Sequence, residues 1–311
     1  MTTPTGGQAV GGDDQPHSQH HAEGIETTPG RDERSGADES SDGKRDAKHI
    51  PSMLMRKSLI EQQTMQRTER PVIRILPWLN VVKIGGHSII DRGAEAVIPV
   101  VEELAEALEQ HRLLIATGGG IRSRHIFSVG LDLGLPTGVL ATLSAADAEQ
   151  NGHIIATLLA QYGVVFLPHM LVAHQLAMFL TTCNGVVMNG VPPYDLWEFP
   201  PEEGKIPEHR TDSGTFLLAE SYGAKNVVFV EDVDGLYTAD PKEHPDAEFI
   251  PEISAAELEA RDLSTLPIDR MVLTLMQTSK LDKQVQIVNG LKRGNILRAL
   301  NGEHVGTIIR R

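Results

Sequence analysis

The residues whose types and spacing most directly suggest chemistry are one lysine and two glycine clusters. Lys83-Ile84-Gly85-Gly86 closes the apolar run that begins at Val81, and Thr117-Gly118-Gly119-Gly120 closes a second run, Leu113-Leu114-Ile115-Ala116. Ile121-Arg122-Ser123-Arg124-His125 then opens a stretch of helical character. Glycine at a strand end lets successive backbone N–H groups approach an oxyanion, and a helix N-terminus adds a favourable partial charge. Together the clusters describe an anion cradle suited to phosphate. Neither fits the Walker or Gly-x-Gly-x-x-Gly pattern, so each taken alone reads equally as an ordinary strand-to-helix turn. Lys83 shifts the balance, because a lysine in a strand buried on both faces needs an anionic partner, either a bound phosphate or a structural carboxylate.

Carboxylates supply the second set. Asp212, in Arg210-Thr211-Asp212-Ser213-Gly214, reads from spacing alone as a helix N-cap; in a phosphate site it would orient Lys83 or another cation. Glu231-Asp232-Val233-Asp234-Gly235-Leu236-Tyr237-Thr238-Ala239-Asp240-Pro241 puts three carboxylates and a turn glycine just past a strand. Oxygen ligands there could hold Mg²⁺, and a nucleotide base could lie on the Tyr237 side. As bare spacing it is also a surface turn. His153, His169 and His174 could contact an oxyanion, although a lone histidine is more often structural. Arg122 and Arg124 are anion candidates by chemistry, and equally credible as surface charges or interface ion pairs.

These residues need a scaffold. Apolar runs of strand length alternate with helical periods from residue 72 onward: strands at Val81–Ile84, Leu113–Ala116, Val164–Leu167, Gly185–Met188, Asn226–Val230, Val285–Val288 and Val305–Ile309. Between them helices are expected at 91–110, 121–133, 146–161, 171–181 and Ser213–Tyr222, with a Pro-rich excursion at 192–207 and a hairpin-like insertion at 235–250. Strands separated by helices imply an α/β fold, a three-layer αβα sandwich with a mainly parallel central sheet.

Composition bounds the partners. The 311 residues carry 42 Asp and Glu against 28 Lys and Arg, a net charge of -14, so a nucleic acid or an anionic membrane would meet a repelling surface. Any anion must be held by local groups. Cys183 is the one cysteine, which supplies no disulfide framework and fits a reducing cytoplasm. No run approaches the roughly 18 apolar residues of a membrane span, and residues 1–30 lack a secretory pattern, so a cytoplasmic protein is expected. Residues 1–50 contain ten acidic and five basic residues and no Phe, Trp or Tyr, and are expected to be a disordered acidic tail. His17, His20, His21 and His49 read there as solvated tail histidines. Residues 51–70, with Met55, Leu59, Ile60 and Met65 on a loose helical spacing, read as an N-terminal arm ahead of a domain at 71–311, packed on its own domain or on a neighbouring subunit.

The run Asp234 to Pro241, with Asp246-Ala247-Glu248-Phe249-Ile250, resembles the nucleotide-binding segment of uridylate kinases and of the wider amino-acid kinase family. The Lys-x-Gly-Gly strand end, the Gly-Gly-Gly turn, the Thr-Asp before a helix and Gly302-Glu303-His304-Val305-Gly306-Thr307 recur there in the same order. The resemblance covers residues 72–311. Within the family the likeness is greatest to the molybdenum storage branch, its alpha-type chains in particular, through Ile75-Leu76-Pro77-Trp78-Leu79, Arg124 to Pro136, Gln150-Asn151-Gly152-His153, Pro192-Pro193-Tyr194 and Val288-Asn289-Gly290-Leu291.

The resemblance implies an ATP-dependent store that holds molybdate or tungstate as polynuclear oxide clusters, built with a second related subunit as a heterohexamer or alone as a homohexamer. It places Lys83 and Asp212 in the catalytic positions. Lys83, Gly85, Gly86, Gly118, Gly119, Gly120, Asp234, Gly235, Tyr237, Asp240 and Pro241 would bind the nucleotide, Glu231 the magnesium, and His169, His153 and His174 the oxometalate. Some positions depart from the pattern. Asp232 stands where uridylate kinases carry a lysine, and Pro168, Phe179 and Asp195-Leu196-Trp197 replace features of the alpha-type cluster site, leaving His169. A uridylate-kinase-like phosphotransferase and a catalytically silent nucleotide-binding subunit are the alternatives.

Overall fold

A computed structural model of the chain describes residues 72–192, 205–241, 243–279, 281 and 283–311. The expected tail (1–50), the arm (51–70) and the Tyr194–Trp197 stretch lie outside the described residues.

The apolar runs form strands. β1 (Asn80–Ile84), β2 (Leu113–Thr117), β4 (Gly185–Asn189) and β9 (Val285–Asn289) are buried at every position, the pattern of strands covered on both faces. With β3 (Val164–Phe166), β5 (Asn226–Glu231), β8 (Glu252–Ser254) and β10 (Thr307–Arg310) they make one eight-stranded sheet in the order β3-β4-β2-β1-β5-β9-β10-β8. All neighbours are parallel except β9 and β10. The expected insertion is a two-stranded antiparallel ribbon, β6 (Leu236–Tyr237) on β7 (Phe249–Ile250).

Alternate side chains of each strand feed two cores. Val81, Leu114, Val227 and Phe229 meet α4 (His169–Phe179), α5 (Thr211–Tyr222), α6 (Ala255–Arg261) and α7 (Arg270–Thr278) on one face. Val82, Leu113, Ile115 and Val228 meet α1 (Ala94–Leu108), α3 (Thr137–Leu159) and α8 (Asn295–Leu300) on the other. The three-layer expectation holds. Among the described residues no helix is long and apolar enough to cross a membrane.

The boundaries differ in ways that have causes. The helix expected at 91–110 is α1, preceded by a separate short turn at Ile90–Arg92. α2 (Gly120–Asp132) starts on the last glycine of its cluster, whose φ of +71° a residue with a Cβ rarely adopts. The helix expected from 146 begins at Thr137. Its first turns, Thr137-Gly138-Val139-Leu140-Ala141, lack a 3.6-residue period because Thr137, Gly138, Leu140, Ala141, Ser144 and Ala145 are all buried, on more than one side. Asp212 is not the N-cap: α5 begins at Thr211 after Arg210, and the hydroxyl of Ser213 serves the helix start by accepting from the Arg210 amide at 2.8 Å.

Candidate functional site

In this sheet β1 has β2 on one side and β5 on the other, so the chain's path reverses direction across β1. A crevice opens outside the C-terminal ends of strands at such a point, and ligands of α/β folds bind there. Register fixes what projects into it. Lys83 lies opposite Ala116 and Phe229, and Glu231 is two residues beyond Phe229, so both side chains emerge on the face covered by α5.

Lys83, Asp212 and Glu231 meet there, all buried. The Lys83 Nζ lies 2.8 Å from Asp212 Oδ1 and donates to Glu231 Oε1 at 2.9 Å. Ser88 Oγ donates to the other Glu231 oxygen. Burial pulls the Lys83 pKa down, but Asp212 and Glu231 outweigh it and hold the ammonium above its ordinary range. Burial raises the Glu231 pKa, Lys83 and Ser88 work against that rise, and the charge of Asp212 adds to it. The second helical position of α5, not a cap, is therefore what carries Asp212 to Lys83.

A fourth ionisable group carries no sequence signal. The Asp269 amide donates to Asp212 Oδ2 at 2.9 Å, and its own carboxylate pairs with Arg210 at 2.5 Å. Burial, reinforced by the neighbouring Asp212 charge and opposed by Arg210 and Lys83, pushes the Asp269 pKa up to about 7. Its Oδ2 is buried without a hydrogen-bond partner among the described residues. Leu266-Pro267-Ile268-Asp269 carries no motif, and only the fold brings it to Asp212, 57 residues earlier.

A cavity of about 570 Å³ opens over this cluster. Of the residues singled out for nucleotide, Lys83, Gly85, Gly86, Gly118, Gly119, Gly120, Gly235, Tyr237, Asp240 and Pro241 line it, together with Asp212 and Glu231. Asp234 does not. Its carboxylate accepts from Asn289 Nδ2 at 3.0 Å and from Lys292 at 2.7 Å, which holds its pKa below the usual range and ties the turn after β5 to the end of β9. Tyr237 packs edge-on against Phe249 with ring centroids 5.4 Å apart. Ser88, Arg210 and Phe127 also line the cavity.

The glycines have two jobs. A Cβ on Gly85 would meet Glu231 Oε2 at 2.6 Å, and one on Gly86 would meet the Gly118 carbonyl oxygen at 2.6 Å, so glycine lets the two turns and the carboxylate pack together. The amide of Ile121, in the first turn of α2, is taken by Asp91 Oδ2 at 2.6 Å. The amides of Gly86, Gly119 and Gly120 donate to no backbone acceptor among the described residues. Three backbone donors beside a buried ammonium fit a phosphate group.

Glu231 suits magnesium less simply. Both its oxygens are engaged, and among the described residues no group of three His, Cys, Asp or Glu is placed to hold a metal ion. The donors fit magnesium only together with a polyphosphate, the usual way Mg²⁺ is held beside one or two carboxylates.

None of the three histidines lines this cavity. His153, on α3, stacks on Phe166 at 4.1 Å between ring centroids and lies 3.7 Å from Glu149. His169 is buried at the start of α4; its amide donates to Asn189 Oδ1 at 3.0 Å and its Nδ1 donates to the Val191 carbonyl at 2.7 Å. His174 is exposed on α4. Pro168 immediately precedes that helix, and Phe179 at its end packs against the core. Arg122 is held by Asn151 and Gln150, whereas Arg124 lines the cavity.

The signature of the amino acid kinase family matches residues 78–289. The chain belongs to that family. A curated relative, the molybdenum storage protein subunit beta of Azotobacter vinelandii, is 47% identical over 84% of this chain and 96% of its own length. The sequence reading leans to an alpha-type chain; this relative is named beta. The uridylate kinase of Thermofilum pendens is another member, 32% identical over 74% of this chain and 97% of its own length. The solved uridylate kinase of Archaeoglobus fulgidus superposes with a TM-score of 0.58 at 23% identity, covering 74% of this chain and 99% of its own, a likeness of fold. In this amino acid kinase family member, the shared elements are those that carry the cavity.

Proposed function

We propose that this chain is a subunit of an ATP-dependent molybdenum store, taking up molybdate or tungstate as polynuclear oxide. The observation that carries the reading is the 47% identity to a molybdenum storage subunit across 96% of that relative's length, well above the 32% to a uridylate kinase. In this reading the amides of Gly86, Gly119 and Gly120 and the Lys83 ammonium bind the nucleotide's phosphates, and the side of the cavity bearing Tyr237, Asp240 and Pro241 takes its base. Asp212 and Glu231 hold Lys83 charged and pointed at the phosphate. Magnesium, brought with the polyphosphate, would neutralise phosphate charge beside Glu231.

The composition supports coupling to ATP. A chain with a net charge of -14 has no long-range field to gather molybdate, so loading needs preformed donors or an external free-energy source. The oxometalate contacts are proposed as His169, His153 and His174, outside the nucleotide cavity. A second related subunit in a hexameric assembly, in the cytoplasm, completes the reading.

The test is to purify the assembly with any companion subunit, load it with molybdate and MgATP, and count molybdenum per chain. Many atoms per chain, dependent on ATP, are expected; fewer than one sinks the proposal. A coupled assay for UMP phosphorylation runs beside it, and ATP turnover that requires UMP would make the chain a phosphotransferase.

A further inference from the structure

The other end of the sheet carries a feature that nucleotide binding in the main cleft does not use. Trp78 precedes β1 by two residues, Arg112 immediately precedes β2, and Lys225 immediately precedes β5; these strands are adjacent and begin in register at Asn80, Leu113 and Asn226. The three side chains line one open cleft of about 530 Å³ with Asn80, His111 and Glu109. Five residues of β1, at about 3.3 Å each, put this cleft on the order of 16 Å from the glycine turns.

Its charges are unusual for this protein. Most described cations have a partner: Arg92 pairs with Asp232, Arg293 with Glu106, Arg298 with Glu303, and Arg261 with Glu257. Arg112 and Lys225 have no side-chain ion pair or hydrogen bond among the described residues, although Glu109 lines the same cleft. Two unpaired cations lining one cleft from either side of β1, in a chain with 42 carboxylates, leave an electrostatic vacancy for an anion. Glu109 is the one carboxylate among the residues that line it. Asn226 Nδ2 donates to Asn80 Oδ1 at 2.8 Å, and His111 Nε2 is 2.9 Å from Asn301 Oδ1, so these polar groups already have partners within the protein.

Trp78 supplies the second half. Its side chain is 46% exposed, and an indole face at the rim of a polar cleft is a stacking surface for a planar ring. We infer that the Trp78–Arg112–Lys225 cleft is a second ligand site, separate from the main cleft, that takes a nucleoside polyphosphate with its base on Trp78 and its phosphates between Arg112 and Lys225. The volume lies within the range of small-molecule sites. None of the residues proposed for storage lines this cleft.

The test uses the full assembly with Trp197→Phe, which leaves Trp78 as the remaining tryptophan of this chain, read as the difference from the same assembly with Trp78→Phe added. Titration with ATP is expected to quench Trp78 fluorescence, and Arg112→Ala with Lys225→Ala to weaken that response at least tenfold while calorimetry still finds binding at the main cleft. Both substitutions are at exposed positions, and an unchanged thermal midpoint verifies that the variant is folded. Sodium tripolyphosphate and adenosine divide the ligand. Each binding at least tenfold more weakly than ATP supports recognition of both halves. Tripolyphosphate binding as tightly as ATP overturns the role of Trp78, and a quench undiminished in the double variant, or absent with ATP, overturns the site.

Discussion

Lys83 and Lys283 are buried to nearly the same degree, 6% and 7% exposed, at opposite ends of one sheet. Their surroundings differ. Lys83, near the end of β1, is clasped by two carboxylates and stays charged above its ordinary range. Lys283, just before β9, donates to the Ala224 carbonyl with Glu220 further off and Arg74 opposing; burial dominates and pushes its pKa down to about 8. Equal burial thus yields opposite shifts, and the partner decides the sign. A protein that keeps a charged lysine beside a cavity has to invest carboxylates in it, whereas a lysine that serves only the Ala224 carbonyl, in the turn between α5 and β5, holds its proton less tightly.

The most severe way to break the comparison is Lys83→Met. It strands Asp212 and Glu231 as buried like charges, so a loss of about 3 to 5 kcal/mol in urea unfolding is expected, along with loss of nucleotide binding in the main cleft. Unchanged ATP affinity would remove Lys83 from that role.

Asp269→Asn comes next. Folded, Asp269 keeps its proton to about pH 7; its ordinary value is 3.8, so the folded chain binds more protons between those limits and stability falls as pH rises through the window. The asparagine variant should lack that decline, a difference on the order of 4 kcal/mol between pH 4 and 7, read from denaturation midpoints across pH. Parallel profiles for the two proteins would refute it.

Lys283 gives the opposite slope at the alkaline side. Its ordinary value of 10.5 exceeds its folded value of about 8, so the unfolded chain binds more protons from pH 8 to 10.5 and stability should rise across that span. Lys283→Met is expected to abolish the rise. At neutral pH its stability should stay within about 1 kcal/mol of the parent, because relief of a buried charge offsets the unpaired Ala224 carbonyl, and nucleotide binding should be unchanged. Lys83, with its pKa raised, contributes no slope in the same range. The smallest effect is Glu220→Gln, which removes the one carboxylate that raises the Lys283 pKa and should move its NMR titration to lower pH.

Half of this contrast was legible in the residues. A lysine inside Val81-Val82-Lys83-Ile84 had to find an anion, and the fully apolar runs marked the strands to within a residue or two. The choice between a bound phosphate and a structural carboxylate stayed open, and Asp212 and Glu231 now stand as two carboxylates on Lys83. Asp212 misled because N-capping is a local pattern, while the direction of a helix's second residue depends on how the helix sits on the sheet. Asp269 could not be found from any spacing, since its partner is distant in sequence and its own neighbours are unremarkable. The early start of α3 was hidden for a related reason: a helix packed on several sides loses the period that announces it.

The last strand also sets an order of events. Thr307 Oγ1 accepts from the Leu236 amide at 2.8 Å and donates to the Ile250 carbonyl, and a Cβ on Gly306 would strike the Asp234 carbonyl oxygen at 2.8 Å, so β10 is what holds the ribbon bearing Tyr237. A chain emerging from the ribosome therefore carries Lys83 and both glycine turns long before β10 is available to fix the Tyr237 side of the cavity.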